Sequence, residues 1–239
     1  MSDSISMTPP EPTALIVGAS RGLGHGIAAE LANRGWRVIG AVRDVSVRTP
    51  LHELAERSEG RVDVERLDIT APEQIVQLRE RIAGRRLDLL FVNAGTTTAE
   101  DTPIGQVTEE EFTRVMVTNA LSPLRVIEAL EGLVTESGLI GAMTSGQGSI
   151  ANNTTGGREV YRASKAALNV ALRSFAARRP ESQRALLLMA PGWIRTELGG
   201  PDAPYTLAES VPLLVDVLVA KRGRPGLEYL DRNGATVPW

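Results

Sequence analysis

The chain has 239 residues, 42% of them hydrophobic, which suits one large domain with a substantial core better than two small ones. A net charge of −3 gives no broad basic surface for nucleic acid or anionic lipid, and the absence of cysteine excludes disulfides, thiol catalysis and cysteine-based metal sites. No run approaches the ~20 apolar residues of a membrane span, and residues 1–12, rich in Ser and Pro without an apolar stretch, read as a disordered tail, so a soluble cytoplasmic protein is expected.

From Thr13 onward, short apolar runs at 14–17, 37–42, 62–66, 87–92, 139–143, 185–189 and, more weakly, 227–230 alternate with segments long enough for crossover helices. Four of the runs are nearly all apolar, as strands covered on both faces must be. The pattern predicts an α/β fold over 13–239: a single-domain, Rossmann-type, doubly wound parallel sheet of about seven strands with helices on both faces. Gly35, Gly60, Gly84 and Gly138 are expected at helix ends or turns ahead of the next strand.

The first strand runs into Val17-Gly18-Ala19-Ser20-Arg21-Gly22-Leu23-Gly24, which opens a helix expected to end near Asn33. Glycines in that place permit a tight turn and let backbone N–H groups approach a pyrophosphate at a helix N-terminus; a solvated Gly-rich turn is the alternative. The spacing is Gly-x-x-x-Gly-x-Gly and not the commoner Gly-x-Gly-x-x-Gly. Where an NAD site usually ends its second strand with an acidic residue, this chain has Val42-Arg43-Asp44. Arg43 and Arg21 can converge on a 2′-phosphate, which predicts NADP(H); two solvated arginines, with Arg43 paired to Asp44, is the other reading. His25 and His52, lacking a Cys or carboxylate cluster, read as surface residues, and no metal site is expected.

Asn119 is followed four residues later by Pro123, whose missing N–H deprives the Asn119 carbonyl of its helical partner. That carbonyl can hold a water, or the proline simply bends the helix. Tyr161 and Lys165 are likewise four apart, which places phenol and ammonium on one helix face. A cation beside a phenol favours the phenolate, so such a pair can exchange a proton near neutral pH.

In chain order the glycine turn, Leu67-Asp68-Ile69-Thr70, Asn93-Ala94-Gly95, Asn119, Ser145, Tyr161-x-x-x-Lys165 and Pro191-Gly192 resemble the short-chain dehydrogenase/reductase family over nearly the whole chain. Gly146–Asn153, Pro191-Gly192-Trp193-Ile194-Arg195-Thr196 and the terminal Pro238-Trp239 are similar to its C-factor-like carbonyl reductase subgroup. The resemblance implies that Tyr161 donates a proton to a substrate carbonyl, Lys165 holds the nicotinamide ribose, Ser145 orients the carbonyl oxygen and Asn119 anchors a water relay. It implies cofactor contacts from Gly18, Ser20, Arg21, Gly22, Leu23 and Gly24, from Arg43, from Asp68 and Ile69 at the adenine, and from Asn93, Ala94 and Gly95 at the ribose. Pro191, Gly192, Ile194 and Thr196 would bracket the nicotinamide and pyrophosphate, with Trp193 either flooring the substrate pocket or packing in the core. The family pattern departs at Val17 and Val92, where supporting polar residues are usual, and at a longer interval between Ser145 and Tyr161, with the extra residues in 152–160 and Ser149 as a rival serine.

The function so implied is NADPH-dependent reduction of a small-molecule ketone or aldehyde, with neither nucleic acid nor membrane as partner. A homodimer or homotetramer is implied, paired through helices equivalent to 114–135 and 161–178. The alternatives are an NADP(H)-binding signalling or regulatory protein on the same scaffold, and an epimerase or dehydratase of the extended relatives.

Overall fold

The computed structural model describes residues 11–97 and 102–239. Each apolar run becomes a strand: β1 (Thr13–Val17), β2 (Arg37–Val42), β3 (Val62–Arg66), β4 (Leu87–Val92), β5 (Val134–Met143), β6 (Ala185–Ala190) and β7 (Gly226–Asp231). All seven pair in parallel in the order β3-β2-β1-β4-β5-β6-β7, with Leu15 of β1 level with both Ile39 and Leu90. The helices between them are α1 (Gly22–Asn33), α2 (Pro50–Arg57), α3 (Pro72–Arg81), α4 (Glu109–Met116), α5 (Ser122–Leu130), α6 (Glu159–Ala177) and α7 (Leu207–Lys221).

Because side chains alternate along a strand, the apolar runs feed two cores. Leu15, Val17, Leu90, Val92, Ile140 and Leu188 point to one face, where Leu78 of α3, Ile127 of α5 and Leu168, Leu172 and Phe175 of α6 cover them. Ala14, Ile16, Leu89, Phe91, Leu139 and Leu187 point to the other, beneath Ile27 and Leu31 of α1, Leu51 of α2 and Leu214 and Leu218 of α7. Fully burying such a side chain contributes about 1.5–3 kcal/mol, so the central strands supply much of the driving force. The chain winds outward from β1 to β3 and then crosses back to β4, so the strand order reverses between β1 and β4. In a doubly wound sheet the crevice at the carboxyl ends of those strands is where ligands bind.

Three local expectations change. β5 starts at Val134 rather than 139: Val134 pairs with Leu87 and Leu139 with Leu89, so 135–138 bulge out, and Gly138 lies within the strand instead of at a turn before it. The helix expected over 114–135 forms as an unbroken run through Leu133, but not with one hydrogen-bond pattern. With no Pro123 N–H to close the turn on Asn119, the chain widens into a π turn at Val117–Leu121, where the Ser122 N–H donates to the Val117 carbonyl, and Thr135 already belongs to β5. The expected tail falls outside the described residues except for Glu11 and Pro12. The Arg37 N–H donates to the Pro12 carbonyl at 2.9 Å and its guanidinium to Glu11 at 3.3 Å. Among the described residues, no helix is long and apolar enough to cross a membrane.

Candidate active site

At the end of β1 the Gly18 and Ala19 N–H groups both donate to the Ala41 carbonyl, at 3.0 and 2.9 Å, which ties the glycine turn to β2. Gly18 has φ +84°, and a Cβ there would lie 2.8 Å from the Ala94 backbone. A Cβ on Gly24 would lie 2.1 Å from the Gly18 carbonyl oxygen, so neither position admits a side chain. Asn93 braces the same turn: its side-chain amide donates to the Gly18 carbonyl at 2.9 Å, while the Asn93 and Ala94 N–H groups donate to Val17. α1 then begins without a side-chain cap on Arg21 and without an acidic residue in its first turn. Its first N–H groups and positive dipole end are left for a ligand, and this uncapped turn fits a pyrophosphate.

Arg43 is exposed just past the end of β2. The Asp44 carboxylate accepts from the Ser46 N–H at 2.9 Å and its hydroxyl at 2.7 Å; these bonds first, then the charges of Arg66 and Arg43, hold its carboxyl below the usual range. Among the described residues Asp44 is therefore bonded to Ser46 and not to Arg43. The Arg21 guanidinium pairs instead with Glu197, at 2.6 Å, both side chains well exposed. Asp68 closes a turn by accepting from the Thr70 N–H and hydroxyl at 2.9 and 2.7 Å, and Ile69 beside it is buried.

The opening turns of α6 bury Tyr161 and Lys165, 8% and 3% exposed, with the ammonium 5.7 Å from the phenol ring centroid. Lys165 Nζ donates to the Met143 carbonyl at 3.0 Å, and burial pushes its pKa down to about 8. A Cβ on Gly95 would sit 3.4 Å from both Lys165 Nζ and Asn119 Oδ1, so this glycine keeps the space between them narrow. The Asn119 side chain, fully buried, is engaged by the chain itself. Its Oδ1 accepts from the Thr96 N–H at 2.8 Å, and its Nδ2 donates to the Thr96 carbonyl at 2.8 Å and the Ser164 hydroxyl at 2.9 Å. Any water relay at Asn119 is thereby left to its backbone carbonyl, inside the π turn that Pro123 opens.

Ser145 lies two residues past the end of β5, half-buried, and its hydroxyl accepts from the Gln147 N–H at 3.2 Å. Ser149 is 1% exposed; its hydroxyl accepts from the Asn152 N–H at 3.1 Å and donates to the Trp239 carbonyl at 3.4 Å, fastening a loop to the last residue. Past β6, Gly192 has φ +87° and Ile194 is buried, and a Cβ on Gly22 would lie 3.7 Å from the Thr196 methyl, so this loop closes over the glycine turn. Trp193 is 52% exposed, with its indole N–H donating to the Gly199 carbonyl at 2.7 Å, so the core is not where it packs. The histidines are part-buried rather than superficial: His52 accepts from the Thr49 N–H to cap α2, and burial lowers the pKa of His25 on α1.

The family description for short chain dehydrogenases matches residues 12–204. The chain belongs to this family. Over 189 residues it is 34% identical to the 1-hydroxy-2-glutathionyl-2-methyl-3-butene dehydrogenase of Rhodococcus sp. (strain AD45), covering 78% of this chain and 79% of that one. Over 156 residues it is 38% identical to the C-signal protein of Myxococcus xanthus, covering 64% of this chain and 93% of that one. Among solved structures, a short-chain dehydrogenase/reductase from Burkholderia multivorans with bound NADP superposes with a TM-score of 0.94 at 61% identity, over 96% of this chain and 100% of that one. A carbonyl reductase from Pseudomonas aeruginosa PAO1 in complex with NADP superposes with a TM-score of 0.90 at 34% identity, over 96% and 100%.

Within this family frame, two charged residues at the site escaped sequence reasoning. Glu197 gives no signal of its own, because only the folded loop brings it to Arg21. Arg158 precedes α6 with φ 50°, after Gly156 and Gly157 at 66° and 70°, and its guanidinium lies 4.9 Å from the Tyr161 ring centroid. The left-handed turn at the end of 152–160 directs it there, and the Gly-Gly pair was the only cue.

Proposed function

We propose that the chain reduces a ketone or aldehyde to the alcohol with NADPH, Tyr161 giving the proton to the carbonyl oxygen. The observation that carries this reading is the burial of Tyr161 and Lys165 together at the mouth of the crevice beside Gly95. The turn from Gly18 to Gly24, with Ser20, Arg21, Gly22 and Leu23, would hold the pyrophosphate; Arg43 would hold the 2′-phosphate, and Asp68 and Ile69 the adenine. Asn93, Ala94, Gly95, Pro191, Gly192, Ile194 and Thr196 would line the remainder. The NADP-bound neighbours at 61% and 34% identity support this choice of cofactor. When bound, the reduced dinucleotide supplies the hydride.

Ser145 orients the substrate carbonyl, and Trp193 lines the pocket beside it. Tyr161 releases its proton with the Lys165 ammonium alongside, a cation that stabilises the phenolate left behind. A water held on the Asn119 backbone carbonyl returns the proton. The exposed apolar side chains of Phe112, Leu121 and Val170 on α4, the π turn and α6 support pairing of these faces in a homodimer or homotetramer.

The likeness to the C-signal protein favours a second reading, an NADP(H)-binding signalling protein with little turnover. Consumption of NADPH against a panel of aldehydes and ketones, with Tyr161→Phe alongside, separates the two. Reduction by the parent that falls at least about a hundredfold in Tyr161→Phe, with NADPH affinity retained, supports the enzyme. Tight NADPH binding with no consumption on any carbonyl supports the signalling reading.

A further inference from the structure

The backbone of Ser145 is extended, with φ −158° and ψ 149°, and its carbonyl takes one hydrogen bond from the turn that follows and one from a distant strand. Tyr229, in the edge strand β7 and 1% exposed, donates its phenol hydrogen to the Ser145 carbonyl at 2.5 Å, and the Gly148 N–H donates to the same oxygen at 2.8 Å. Asn169, one turn beyond Lys165 on α6, accepts from the Thr144 hydroxyl at 2.7 Å and donates to the Gly148 carbonyl at 3.3 Å. Lys165 itself takes the Met143 carbonyl. Gly148 is pressed onto α6 so closely that a Cβ would lie 3.0 Å from the Lys165 backbone. The segment 143–148 is thus tied down by Lys165, Asn169 and Tyr229 at Met143, Thr144, Ser145 and Gly148. The Trp239 ring, 5.5 Å from that of Tyr229 and itself covered by the Arg173 guanidinium, packs beside the phenol without bonding to it.

We propose that Tyr229 is a positioning residue for the Ser145 hydroxyl, acting through the Ser145 carbonyl. With that oxygen fixed, the turn that follows is held in place, and with it the Gln147 N–H that donates to the Ser145 hydroxyl at 3.2 Å and aims it. The role falls to a residue outside the matched family region of 12–204. Burial pushes the Tyr229 phenol up to about 12, so it stays a protonated donor throughout the physiological range. The catalytic consequence rests on the reading of Ser145 as the group that orients the substrate carbonyl.

The test uses the full chain with NADPH and 4-nitrobenzaldehyde. Tyr229→Phe is expected to lower kcat about tenfold or more and to leave the NADPH Kd within about twofold, because the group lost touches neither cofactor nor substrate. Ser145→Ala is expected to lose more, and the double variant to be no slower than Ser145→Ala alone. Amide hydrogen exchange at Gly146, Gln147 and Gly148 should quicken about tenfold in Tyr229→Phe. Trp239→Ala, which strips packing but keeps the phenol bond, should lower stability and hold kcat within about twofold. Unchanged exchange in Tyr229→Phe overturns the proposal whatever the turnover does. So does a double variant slowed by the product of the single effects, or a Trp239→Ala variant as slow as Tyr229→Phe. Full activity in Ser145→Ala, with Tyr161→Phe inactive, instead removes the serine role on which the proposal rests.

Discussion

Lys165 carries a charge that the fold itself disfavours, and replacing it has a calculable effect. Burial moves its ammonium from 10.5 to about 8, which corresponds to roughly 3 kcal/mol of destabilisation while the group is charged. The folded pKa lies below the unfolded one. Between pH 8 and 10.5 the unfolded chain therefore holds the proton that the folded chain has lost, and stability from this group rises with pH across that window. Below pH 8 both states are protonated and the full penalty applies. Lys165→Met removes the charge at similar length but leaves the Met143 carbonyl without its 3.0 Å donor, a loss of about 1–3 kcal/mol. The variant is thus expected to be more stable than the parent by about 1–2 kcal/mol near neutral pH, or roughly 2–8 °C in Tm for a chain of this size. The advantage should shrink by about 1.4 kcal/mol per pH unit above 8, vanish near pH 9 and reverse beyond it. Thermal melts of both proteins without nucleotide, from about pH 7 to pH 10.5, measure this. A gap between the two curves that stays constant over that range would show that Lys165 does not titrate there, and the reasoning would fail.

Gly18→Ala combines a left-handed backbone with a Cβ 2.8 Å from the Ala94 backbone, so a loss of about 2–5 kcal/mol is expected in urea unfolding. A loss below about 1 kcal/mol would mean that the turn can relax. Arg43→Ala should weaken NADPH binding about 10- to 100-fold and NADH about twofold at most, as read by nucleotide fluorescence; equal losses would remove the 2′-phosphate contact. Asn119→Ala orphans the Thr96 N–H and carbonyl and one Ser164 contact, all near 2.8–2.9 Å, and should lower stability by about 3–5 kcal/mol. Calorimetry that finds its Tm unchanged would refute the clamp assigned to that side chain.

Local sequence was enough wherever one physical requirement acts on neighbouring residues. A parallel strand buried on both faces is mostly apolar, and so the bounds of β2 and β4 could be read directly. The helix period places Tyr161 and Lys165 on one face, and a turn with no room for a Cβ demands Gly18 and Gly24. Where polar residues enter a strand, as at Glu136 and Ser137 in the bulge of β5, the apolar signal starts late and the true start at Val134 is missed. The π turn after Met116 was half legible: Pro123 announces a missing bond, but only packing decides between a kink and a π turn. The contacts of Arg21 with Glu197, of Arg158 with Tyr161 and of Tyr229 with Ser145 join residues from separate loops and strands. No local pattern encodes such pairs. They come into being when the sheet brings the carboxyl ends of its strands to one edge, so the chemistry of the site was written in the chain while its bracing came from the tertiary structure.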